Sequence, residues 1–320
     1  MAAQITHPVW KSAAAAFAFG MALSAAAILF CSTALPGEAH RIFLPKLRRG
    51  ETLQYEVHGR VERKVKTESK VSSMRGPQDY QGDLTGLMLL SVQEVRAAKS
   101  QPWVSAQVEL RPAPGTPNPR ATVPVAKVSF DILDRGQLGR ITGLDALSPE
   151  QRLLWQFWVA RFAFGWSLPP NGMKPGEKVK FEEPELDSSL IADLVWEREV
   201  TYARDDKCPI LPAETCAVFL TESTLKQKSS TKDSTPEDFR LHELKTFGTA
   251  KGQNEIITYI SLKTGLVLRA TEDVQQSMDV TVMKTDGTNG VHYDISATSH
   301  LETLFAPESS PSASSSSPSH

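Results

Sequence analysis

The residues best equipped for chemistry are His40, His58, His242, His292, His300 and His320, two cysteines at Cys208 and Cys216, and a carboxylate run at Glu182, Glu183 and Glu185. No two of the histidines stand at an HxH or HExxH spacing, so no metal site is expected. Gly165-Trp166-Ser167 begins like a nucleophile elbow, but Leu168-Pro169 follows where that motif needs a variable residue and a glycine. Residues 172–178 lack the Gly-Lys-Ser/Thr ending of a phosphate loop. In 286–290, Asp-Gly-Thr-Asn-Gly has neither the repeated ligands nor the terminal Glu of a calcium loop and reads as a hairpin turn. The three glutamates read as a solvated charge run. No catalytic residue, metal or cofactor is expected from these residues.

The cysteines point elsewhere. Cys208 and Cys216 enclose Pro209 and Pro212, a spacing wrong for CxxC redox or zinc chemistry, and they predict a disulfide across a short connection between strands. An oxidising compartment is also predicted by the N-terminus. Lys11 precedes an uncharged run over 12–30, followed by small residues at Ser32, Ala34, Gly37 and Ala39, the order of a secretory signal peptide over 1–39. Cleavage is expected after Ala34 or Ala39; an uncleaved single-span anchor is the alternative, since about 20 apolar residues cross a bilayer. Cys31 follows bulky Phe30, which fits a lipoprotein signal poorly. The protein is therefore expected in the periplasm or outside the cell, touching membrane only through this segment if uncleaved.

At 320 residues, with 40% hydrophobic and 22% charged, the chain has enough apolar side chain for a real core, as one large domain or two small ones. A formal net charge of -2 gives no electrostatic reason to expect nucleic acid.

Strand patterns dominate. Period-two alternation over 52–66, 84–95, 103–110, 123–133 and 138–141 predicts a first β unit over 40–147, with the proline-rich 111–124 as a loop. A second unit over 167–306 has strands at 194–202, 216–226, 241–249, 255–262, 266–272, 277–284 and 291–304, and Thr235-Pro236-Glu237-Asp238 could cap one helical turn. Two landmarks recur. Gly50-Glu51-Thr52-Leu53-Gln54-Tyr55-Glu56 resembles Gly176-Glu177-Lys178-Val179-Lys180-Phe181-Glu182, and the hairpin around Gly136 resembles the one around Gly265. The expected fold is mainly β, two tandem antiparallel meanders forming curved sheets or half-barrels, with one aromatic helix between them. The serine- and proline-rich 307–320 is expected to be disordered.

That helix is predicted over 148–166, where Ser148, Pro149 and Gln151 form a capping box. Trp155, Phe157, Trp158, Phe162, Phe164 and Trp166 leave only Arg152, Gln156 and Arg161 as a polar stripe, so most of its circumference must be covered. It is expected either as permanent core or as a lid over an apolar groove. The arrangement resembles, at the level of architecture, the half-barrel envelope carriers of the LolA and LolB type, whose curved sheet is plugged by helices. The resemblance implies a non-catalytic role binding a hydrophobic small molecule or an envelope protein, with Leu154, Trp155, Phe157, Trp158, Phe162 and Trp166 nearest the ligand. A purely structural or interaction protein is the alternative, and a hydrolase without a motif a lesser one.

Overall fold

A computed structural model describes residues 40–43, 45–69, 77–96, 104–112, 127–132, 138–145, 168, 171–185 and 189–307. The N-terminal segment with Cys31 and both expected cleavage points, the proline-rich stretch 113–126, the turn at Gly136, the aromatic stretch 148–166 and residues 308–320 lie outside the described residues.

The described chain is mainly β, as alternation predicts. Its strands are β1 (Thr52–Ser69), β2 (Tyr80–Val95), β3 (Val104–Pro112), β4 (Lys127–Ile132), β5 (Leu138–Thr142), β6 (Lys178–Pro184), β7 (Leu194–Lys207), β8 (Thr215–Gln227), β9 (Leu244–Ser261), β10 (Val267–Lys284) and β11 (Val291–Phe305). They form one 11-stranded sheet in the order β5-β4-β3-β2-β1-β11-β10-β9-β8-β7-β6, antiparallel at every pairing. Each half of the chain is a meander, and β11 joins them by pairing with both β1 and β10.

Two expected breaks are absent. Residues 241–262 contribute a single 18-residue β9 and 266–284 a single 18-residue β10. Polar Lys251-Gly252-Gln253-Asn254 reads as a loop in sequence, yet Gly252 is there for space. A Cβ added to it would stand 3.0 Å from the Trp196 ring and 3.1 Å from Leu225. Thr235 does not cap the small helix α1 (Glu237–Leu241); its hydroxyl bonds Asp233 and the Thr246 carbonyl instead. The 286–290 turn forms between β10 and β11, with Gly287 at φ 84° and the Asp286 carboxylate accepting from the Thr288 amide at 2.8 Å.

The turns entering β1 and β6 share one geometry. Gly50 and Gly176 both sit at φ 82°, in the left-handed region that favours glycine. Glu51 Oε2 accepts from the Arg48 amide, and Glu177 Oε2 from the Lys174 amide. Gly50 donates to the Val92 carbonyl and Gly176 to that of Tyr202, and the ladder shifts register just beyond each acceptor, at Val92/Glu94 and Tyr202/Arg204. Such bulges add twist where they occur.

Both sheet edges are blunted against further pairing. β5 has five residues, and β6 carries exposed Lys178 and Lys180 and ends on Pro184.

One face of the sheet is the core. Tyr55 and Val57 of β1, Met88 and Leu90 of β2, Val104 and Val108 of β3, Phe130 of β4, and Tyr202 and Phe219 of β7 and β8 belong to one cluster. Trp196, Leu225, Val274, Val280 and Tyr293 centre a second, toward the other ends of the strands. Each fully buried large apolar side chain contributes about 1.5–3 kcal/mol, so this face carries most of the stability.

Residues 40–50 form a strap across one end of that face. Arg41 exchanges backbone hydrogen bonds with Met173, Lys46 donates to Thr264 between β9 and β10, and Gly50 reaches Val92 of β2. A stretch of this length, with a turn in it, reaches at most about 30 Å. The strand ends it links would lie about 30 Å apart in a flat sheet. The strap is thus just long enough to reach from β7 to β2 across the end of the sheet, and the bulges at Val92 and Tyr202 add twist where the entering turns dock.

Candidate functional site

A buried polar belt crosses the core face between its two apolar clusters. In β6, alternation turns Glu183 inward with Val179 and Phe181; in β7 it aligns Trp196, Arg198, Val200 and Tyr202 on the same side. Register then places Arg198 opposite Ser223 of β8, and Ser223 opposite Asn254 of β9. The Arg198 guanidinium, 1% exposed, donates through Nε to Glu183 Oε2 at 2.8 Å and through Nη1 to Ser223 Oγ at 2.9 Å. Its Cζ lies 5.8 Å from the Trp196 ring centroid, a cation–π distance. Asn254 Nδ2 donates to Glu272 Oε1 of β10 at 2.5 Å, and both residues are buried. Charges this deep persist only when paired and hydrogen-bonded, as Arg198 and Glu183 are, and Ser223, Asn254 and Glu272 extend the belt to side chains from five strands.

These groups correct the reading of Glu182, Glu183 and Glu185 as a solvated run. Only Glu182 is exposed, paired with Lys228; Glu183 is buried against Arg198, and Glu185 accepts from the Trp196 indole N–H. The missed signal was positional. Counting by twos from Val179 through Phe181 puts Glu183 on the core face.

The opposite side of the same strands carries an open groove of about 920 Å³, whose lining includes Glu182, Glu197, Glu199, Glu222, Glu255 and Asp273. Glu222 stands opposite Glu199 on one side and Glu255 on the other, and Glu255 opposite Asp273. Directly opposed carboxylates repel across a sheet. Hydrogen bonds from Lys178 and Lys180 pull Glu199 down to about 2.

A third polar cluster fastens the strap. Arg41 Nη1 donates to Asp205 Oδ2 at 2.6 Å and to the Tyr202 hydroxyl at 2.8 Å, and Tyr202 donates to Asp205 Oδ1. Partial burial works against the Asp205 charge, but the bonds from Arg41 and Tyr202 outweigh it and hold this carboxyl below the usual range. Burial, then the bond to Asp205, pushes the Tyr202 phenol well above its ordinary value. Two residues on, Phe43 meets Tyr202 and Phe219 edge-on, with centroids 5.4 and 4.9 Å away.

Cys208 and Cys216 form the expected disulfide, closing the β7–β8 connection. Both are buried, and a ring of this size contributes about 2.5 kcal/mol in the loop-entropy picture. Leu154, Trp155, Phe157, Trp158, Phe162 and Trp166 lie outside the described residues, so the structure brings none of them to a site. Among the described residues no cluster of three or more metal-ligating side chains occurs, and no helix is long and apolar enough to cross a membrane. No protein-family model matches the chain, and no curated protein matches it.

Proposed function

We propose that the protein is an exported, non-catalytic envelope protein that holds a hydrophobic ligand, a lipid or the acyl part of a lipoprotein, against the core face of its sheet. The observation that carries the reading is that face itself: two apolar clusters on one side of a single sheet, separated by a belt of hydrogen-bonded polar groups and bordered at one end by the strap rather than by a second sheet. An apolar surface with a few fixed polar groups is the usual chemistry of a small-molecule site. The aromatic stretch 148–166 supplies the nearest contacts in this reading, through Trp155 and Trp158 above all. The buried disulfide favours an oxidising compartment. The matching turns at Gly50 and Gly176 support descent of the sheet from two copies of one meander.

A second reading, an interaction protein, is favoured by the acidic groove on the other face, which suits a basic partner. Titrating the protein with an environment-sensitive apolar probe separates the two. Saturable binding that is lost in Trp158→Ala, with unfolding unchanged, is expected of the carrier; no saturable binding by the wild-type protein would leave the interaction protein standing.

A further inference from the structure

We infer that the strap 40–50 is a lid that occupies its own binding face, with Phe43 filling a place that an apolar ring or chain of the ligand takes when the strap lifts. The inference rests on the carrier reading above. Phe43 is 6% exposed and lies edge-on to Tyr202 and Phe219, which belong to the same apolar cluster as the core-face residues of β1 to β4. Yet it is not held by a ladder. Between the Arg41–Met173 bridge and the Lys46 bond to Thr264, the described residues Ile42, Phe43 and Pro45 make no backbone hydrogen bond to another element.

At its Arg41 end the strap is held by the two backbone bonds to Met173 and by side-chain chemistry at the surface. Arg41, a third exposed, grips Asp205 and Tyr202, and the His40 ring stands 3.5 Å from Glu177. At the other end Pro45 and Gly50 flank the turn into β1, the place where a hinge would fall. A buried aromatic on a segment tied to the sheet by a few backbone bonds and by polar side-chain contacts, rather than by a continuous ladder, can be exchanged for another apolar group of similar size without opening the sheet. Because the closed strap excludes ligand, loosening its fastening raises the fraction of binding-competent protein and so the apparent affinity.

The test is probe affinity in the full chain carrying Arg41→Ala, with Asp205→Asn as a second variant that loosens the same contact from the sheet side. Both are expected to bind an apolar fluorescent probe several-fold to tenfold tighter than wild type, while hydrogen exchange at the Arg41 and Lys46 amides quickens and exchange within β9 and β10 stays unchanged. If wild type binds and both variants bind with equal or lower affinity, the strap is ordinary core and the inference falls while the carrier reading stands. If neither wild type nor variants bind, both fall.

Discussion

Glu183 and Arg198 show how a single position decides the character of the core face. Removing one partner of a buried, hydrogen-bonded pair leaves the other charge without its main compensation, at a cost of about 3 kcal/mol or more. Glu183→Ala should therefore lower the denaturation midpoint sharply, and Glu183→Leu combined with Arg198→Met should recover most of the loss, both read from urea unfolding. A double variant no better than the single one would show that the belt is needed as a whole. Asp205 makes a claim about pH. Its folded-state pKa lies below the ordinary value of about 4, so its contribution is present above that value and is lost as pH falls through the folded one. The Arg41 and Lys46 amides should accordingly exchange faster, relative to β9 and β10, as acid approaches and passes that range, whereas Asp205→Asn should remove this pH dependence.

The elements are the level at which sequence speaks most clearly. Strand alternation located β1 to β5, β7, β8 and β11 and the two ends of β9 and of β10, each of which it split in two, and the glycines at 50 and 176 marked the two turns that dock on Val92 and Tyr202. What escaped was whatever depends on a neighbour in space. Gly252 resembles a break until the Trp196 ring above it is known, and Glu183 resembles a surface charge until Arg198 is seen beneath the sheet. The candidate site was legible only in its disulfide; the belt and the strap arise from contacts between residues far apart in sequence. The equivalence of the two turns can be checked directly. A Cβ at Gly50 or Gly176 meets nothing within 4 Å, so alanine at either position pays only for a left-handed backbone, about 1 kcal/mol. Gly50→Ala and Gly176→Ala should destabilise alike; a cost several times larger at one of them would mean that the turns carry different loads.

At the scale of the molecule, one sheet separates two environments. Its core face is apolar with a paired polar belt and a strap at one end, while its other face offers an acidic groove to solvent. The register shifts in β2 and β7 fall at the points where the entering turns dock. The carrier reading makes the core face the working surface, and it is most directly tested by native mass spectrometry of the protein purified gently from the envelope. The account predicts a population heavier than the bare chain by the mass of one lipid, released on collisional activation; a single species at the mass of the chain alone, under conditions that preserve a known lipid-protein complex, would contradict it.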